Sequence, residues 1–153
     1  MSEINTVDRE YMLLALAAAQ AAETQGEVPV GAVVIIDNEV VASGFNRTII
    51  DCDPTAHAEI VAIRKAAKII NNHRLTEATL FVTLEPCAMC MGALLQARIK
   101  RLVFGAYDPK AGASGSVMDL SKHDQLNHAI EVEGGVLEEE CSSLLKAFFK
   151  ARR

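Results

Sequence analysis

Two short segments place the tightest demand on how this chain folds: His57-Ala58-Glu59, and Pro86-Cys87-Ala88-Met89-Cys90. Each follows a loop and opens a segment with helical character. Pro54 disfavours helix at Asp53, and Pro86 suits a first helical turn. Cys87 and Cys90, spaced i and i+3, share one helical face. Two neighbouring helix N-termini can therefore bring one imidazole and two thiols together. Positive helix ends favour thiolates over thiols, the form that a metal ion takes.

The rest of the chain supplies the elements for such a fold. Residues 7–25 are rich in Ala and Leu, with Asn5 and Thr6 as candidate N-caps and Gly26 as a stop, which predicts a helix. Residues 30–36 form a β-branched apolar run, Asp37-Asn38 a turn and residues 39–45 a returning strand. From Ala56 to Ile70 apolar residues recur at helical spacing. A strand at 79–83, a helix from Pro86 to about Gln96 and a strand at 101–105 follow. Residues 108–116 read as a Gly-rich loop, and 117–129 give no clear pattern. A last strand is expected at 130–132 and a terminal helix at 136–149. This order predicts one α/β domain over residues 1–153, a mixed five-stranded sheet covered by helices.

Bulk properties narrow the class. With 153 residues, half of them hydrophobic and 23% charged, the chain has an ordinary globular composition. The apolar stretch at 12–22 is too short to span a bilayer, and no charged n-region with an apolar h-region opens the chain. A cytoplasmic protein with no membrane partner is expected. Cys52 and Cys141 then read as unpaired thiols. The net charge of −5 argues against indiscriminate binding of nucleic acid. Charge is uneven, however: residues 1–140 carry 11 bases and 20 acids, whereas Lys146, Lys150, Arg152 and Arg153 face no acid after residue 140.

His57, Cys87 and Cys90 would serve as three zinc ligands, which leave the fourth corner of a tetrahedron open for water, as in catalytic sites. Zinc lowers the pKa of a bound water from about 15.7 towards about 7, giving hydroxide as the nucleophile. Glu59, two residues from His57, is placed to take that proton and pass it to a ring nitrogen and a departing amine. Such proton transfer is worth about 10²–10⁴ in rate. The same pair of segments is the signature of zinc nucleobase deaminases. A purely structural site would need a fourth ligand from His73, Cys52, His123 or Cys141. A thioredoxin-like reading of Cys87 and Cys90 leaves His57 and Glu59 without a task.

Beyond these two segments the chain resembles the bacterial tRNA-specific adenosine deaminases of the cytidine deaminase-like superfamily. The resemblance rests on 27–32 (Glu-Val-Pro-Val-Gly-Ala), Asn46-Arg47, 53–59, 82–90, Arg98-Ile99, 103–106 and Asn127-His128, in one register over nearly the whole length. It implies a three-layer α/β/α fold and a homodimer with one zinc per subunit, held by His57, Cys87 and Cys90. Glu59 would be the proton shuttle. The implied reaction converts the wobble adenosine of a tRNA anticodon to inosine. By the same resemblance Asn46 reads the purine edge, although it also suits a turn after the second strand. Asp108 lies near the substrate ribose, or simply forms a turn. Val28 and Pro29 line the pocket entrance, and Ala58 belongs to the substrate-binding set. Of Phe148 and Phe149, one faces the core of an amphipathic helix and the other is free to stack on a base. Phe149, Arg152 and Arg153 are the candidate contacts to the anticodon stem-loop. Two other readings remain at this level: a free guanine or cytosine deaminase using the same zinc site, and a noncatalytic zinc-stabilised binding module.

Overall fold

The computed structural model describes residues 2–152, with side chains from residue 6 onward. Its elements are helix α1 (Ser2–Thr24), strands β1 (Gly31–Ile36) and β2 (Glu39–Phe45), helix α2 (Ala58–Ile70), strand β3 (Thr79–Leu84), helix α3 (Ala88–Gln96), strands β4 (Arg101–Ala106) and β5 (Glu131–Glu133), and helix α4 (Glu138–Ala151). The strands form one sheet in the order β2-β1-β3-β4-β5. β1 runs antiparallel to β2 and β3, while β4 lies parallel to β3 and β5. The mixed five-stranded sheet expected from the sequence is therefore present.

β1, β3 and β4 read Gly-Ala-Val-Val-Ile-Ile, Thr-Leu-Phe-Val-Thr-Leu and Arg-Leu-Val-Phe-Gly-Ala, runs that are apolar on both faces. Such strands need cover on both sides. Ala32, Val34, Leu80, Val82, Leu102 and Phe104 point to a core shared with α2 and α3. Their alternates Val33, Ile35, Phe81 and Val103 join Met12, Ala15 and Leu16 of α1 and Cys141 of α4 in a second core. The result is three layers, with α2 and α3 on one face of the sheet and α1 and α4 on the other.

Local chemistry sets the joints. Asp37 and Asn38 both have positive φ (52° and 61°), as a two-residue hairpin turn between twisted strands requires. Gly31 allows α1 to lie directly on β1, because a Cβ there would overlap the carbonyl oxygen of Ala15 and the amide nitrogen of Ala19. Arg101 of β4 donates to both oxygens of buried Asp8 on α1, at 3.0 and 2.7 Å. This bidentate pair pins the helix across the sheet.

α1 corrects one expectation. It begins at Ser2, so Asn5 and Thr6 lie inside the helix rather than capping it. No Pro or Gly interrupts the first six residues, and the acid at position 3 suits a helix N-terminus. The unassigned segment 117–129 holds turns and bends, with a single β-bridge between Ser114 and Asp119 at its start.

Strand directions gather one end of the sheet into a site. The register places Gly31 opposite Phe45 and Leu84 opposite Ala106, so the C-terminal ends of β2, β3 and β4 meet the N-terminal end of β1. Ligands in open α/β sheets bind at the carboxyl ends of strands. All the segments that carry chemistry in the sequence emerge there.

Candidate active site

His57 and Cys87 are the N-cap residues of α2 and α3, both in extended conformation. Their carbonyls accept the first helical bonds, from Val61 at 3.0 Å and Met91 at 2.9 Å, while their side chains are free to face each other. His57 Nδ1 stands 3.7 Å from Cys87 Sγ and 3.4 Å from Cys90 Sγ. All three ligand atoms lie within 4.8 Å of one another. A tetrahedral ion with Zn–S near 2.3 Å and Zn–N near 2.0 Å separates sulfur from nitrogen by about 3.5 Å. The donor set and its spacing fit such an ion without rearrangement.

A closed, purely structural site is not what the geometry offers. Among the described residues, His57, Cys87 and Cys90 are the cluster with metal-binding spacing. Cys141 is buried in the core on the opposite face of the sheet, against Gly105. Cys52 is exposed, and its thiol donates weakly to the Ile49 carbonyl at 3.8 Å. His73 lines a separate groove between α2 and α3, and His123 Nδ1 accepts from the Gln125 amide. None of the four provides the fourth ligand.

The charge state of the cluster suits a cation. The Cys90 thiol and then His57 donate to Cys87, bringing its pKa down to about 3. Cys90 is pushed the other way, chiefly by the same shared proton and then by burial. His57 is raised, first by its bond to Cys87. One negative charge thus rests on the pair and resists a second, a resistance that a divalent ion removes.

Glu59 sits in the first turn of α2, only 4% exposed. Burial, the largest influence, raises its pKa to about 7, against the opposing pull of its own backbone amide and His57. A carboxyl poised there can accept and release a proton at neutral pH. It borders a cavity of about 260 Å³, together with His57, Cys87, Asn46, Thr48, Glu85 and Asp108. That is room for one flat heterocycle and little more.

The structure brings most of the sequence candidates to this cavity. Val28 lines it, and Pro29 does not. Ala58 is wholly buried, and its amide donates to Asn46 Oδ1 at 2.9 Å. With Oδ1 engaged as a cap for α2, the group that Asn46 has left to offer is its Nδ2 pair of donors. Asp108 lines the cavity, but its Oδ1 turns back to accept from the amides of Lys110 and Ala111 at 3.0 and 3.2 Å. On α4, Phe148 is buried at 4% exposure and Phe149 is exposed at 46%. Phe149 lines a second groove with Tyr107, Lys146 and Lys150, one residue along the chain from Asp108. Arg152 stacks its guanidinium over the Phe148 ring, 3.6 Å from the centroid. Arg153 lies outside the described residues.

Sequence reasoning missed two buried carboxylates that hold the loops at the cavity mouth. Glu27 accepts from the amides of Ile49 (3.1 Å) and Ile50 (2.8 Å) and from the Thr48 hydroxyl (3.4 Å). Glu85 accepts from the amides of Asp108, Ser114 and Ser116, each at 3.0 Å, and from the Ser116 hydroxyl. Burial alone would raise its pKa, but these donors, Ser116 foremost, outweigh it and hold the carboxyl below the usual carboxylate range. The available signal was an acid adjoining an apolar strand with no base beside it, which must find donors elsewhere in the fold.

Comparison with known proteins places this site in a family. The model of the MafB19-like deaminases matches residues 6–153. The chain belongs to this deaminase family. It is 53% identical over 147 residues to the tRNA-specific adenosine deaminase of Haemophilus influenzae, covering 95% of this chain and 85% of that one. It is 47% identical over 148 residues to the enzyme of the same name from Bacillus subtilis, covering 97% and 92%. A solved structure from a study of A-to-I editing by tRNA:A34 deaminases at the wobble position superposes with a TM-score of 0.86 at 45% identity, over 89% of this chain and 99% of that one. A guanine deaminase from Nitrosomonas europaea shares the fold at 24% identity and a TM-score of 0.77, over 92% and 83% of the two chains. The deaminase thus sits among the tRNA-specific adenosine deaminases, with a cytidine deaminase-like α/β fold.

Proposed function

We propose that the chain, as a single zinc-dependent deaminase domain, hydrolyses adenosine to inosine at the wobble position of a tRNA anticodon. The observation that carries this reading is the open three-ligand cluster with a buried, near-neutral Glu59 beside it in a cavity sized for one base. Zinc held by His57, Cys87 and Cys90 supplies, when bound, the Lewis acidity that makes water nucleophilic at neutral pH.

The chain's own residues perform the remaining tasks. Glu59 accepts a proton from the attacking water and delivers it to the purine N1, then takes the proton of the new C6 hydroxyl and passes it to the exocyclic nitrogen as the C6–N bond breaks. Water is consumed, ammonia leaves, and a carbonyl remains at C6. Asn46, through Nδ2, donates to an acceptor on the purine edge. Because an adenine inside a stack cannot reach a cavity this narrow, the base is extruded into it, at least cost in an unpaired loop. Phe149 supplies a stacking face in the groove that starts beside Asp108, with Lys146 and Lys150 for the phosphates.

The name and substrate of the tRNA-specific relatives, which the chain matches over nearly its whole length, support this over a free-base deaminase. We also place the protein in the cytoplasm as a homodimer. Among the described residues no helix is long and apolar enough to cross a membrane. Sedimentation equilibrium would test the dimer by mass. The functional test is an anticodon stem-loop with adenosine at the wobble position, assayed beside free guanine and cytidine. Inosine in the RNA is expected; conversion of a free base with the RNA untouched would overturn the reading.

A further inference from the structure

Glu85 is a buried carboxylate with no task in the chemistry above. It follows the last residue of β3, just before Pro86 and Cys87, is 2% exposed, and forms no ion pair with any described residue. A lone charge in such a place is costly unless donors surround it. All of its donors come from one segment: the amides of Asp108, Ser114 and Ser116, and the Ser116 hydroxyl. Segment 108–116 belongs to no helix or strand, so these bonds take the place of a regular framework. Gly112 fits against the same carboxylate, where a Cβ would overlap it. Pro86, next in the chain, accepts from the Ala113 amide at 2.8 Å.

From this suspended segment, Asp108 and Ala111 face the cavity that Glu59 and His57 line; Glu85 borders it too, with both of its carboxylate oxygens held by the segment. We infer that Glu85 is a positioning residue that fixes the Asp108–Ala111 wall against which the substrate nucleotide docks. Glu85 acts through that wall and exchanges no proton with the substrate. This rests on the proposed adenosine reading for its substrate. The wall supplies no group that gives or takes a proton in the proposed reaction, so loosening it weakens ground state and transition state alike. Such a loss is expressed in KM.

The test compares Glu85→Gln, Glu85→Asp and Ser116→Ala in the zinc-loaded full chain. Glu85→Gln keeps the size of the side chain but replaces one acceptor oxygen with a donor, so bonds to the segment are lost. KM for the anticodon stem-loop should rise at least tenfold, by more than kcat falls, with zinc content unchanged. Glu85→Asp should recover part of that loss. Ser116→Ala should raise KM by a smaller factor, and combined with Glu85→Gln should add less than its own effect. Amide hydrogen exchange across 108–116 should quicken in the same order. That exchange needs no substrate, so a wild-type protein inactive on the stem-loop would count against the adenosine reading alone. Should Glu85→Gln fail to fold, Ser116→Ala carries the test. Unchanged KM and exchange, or loss of zinc and kcat at constant KM, would overturn the inference.

Discussion

Glu59 and Glu85 are both carboxylates closed off from solvent, and their surroundings give them opposite properties. Glu59 has few donors, so burial lifts its pKa to about 7, which suits the proton-carrying role proposed for it. Glu85 has four donors, stays charged and becomes an anchor. Replacing Glu59 by Gln should leave zinc at one per chain while inosine formation falls by about 10²–10⁴ or more. Metal analysis beside an inosine assay checks both halves, and an active, zinc-loaded variant would remove Glu59 from the mechanism. His57, Glu59, Cys87 and Cys90 were legible in the sequence because imidazole, carboxylate and paired thiols at that spacing have few other uses. Glu27 and Glu85 were not. Their partners lie 21 to 31 residues away, and only the folded chain shows that each is enclosed by loop amides.

At the scale of elements, the helices that carry His57 and the two cysteines begin where a three-ligand metal site would need them. α2 and α3 start at Ala58 and Ala88, each just after a ligand at its N-cap. Proline and apolar periodicity made these starts readable to within two residues. The beginning of α1 was not, because Asn and Thr are also tolerated inside a helix whose other face is packed. β5, three residues long at the sheet edge, falls within one residue of the strand expected at 130–132. The seam between α1 and β1 depends on one missing side chain. Gly31→Ala should force backbone apart from backbone, at a cost of about 3 kcal/mol, or roughly 6–12 °C of melting temperature for a domain of this size. Thermal unfolding measures this directly, and a shift within 1–2 °C would mean that the seam relaxes freely.

For the molecule as a whole, layering was legible because β1, β3 and β4 are apolar on both faces and so demand helices on both sides. What pattern could not show is the strand order that brings these segments together. Asn46, Glu59, Cys87 and Asp108 reach one cavity only because β1 runs opposite to β2 and β3 while β4 runs with β3. That arrangement places the His57, Cys87 and Cys90 cluster, Glu59 and the suspended loop at one end of the sheet. The exposed Phe149 and the lysines of α4 lie on a groove beginning at the same end. A free base would use only the inner part of this surface, whereas a base carried in an RNA loop would use all of it. The most direct measurement is sequencing of total tRNA from cells that lack this protein. Adenosine in place of inosine at the wobble position, restored by the wild-type chain and not by Glu59→Gln, is the predicted result. Inosine persisting there at wild-type levels would contradict it.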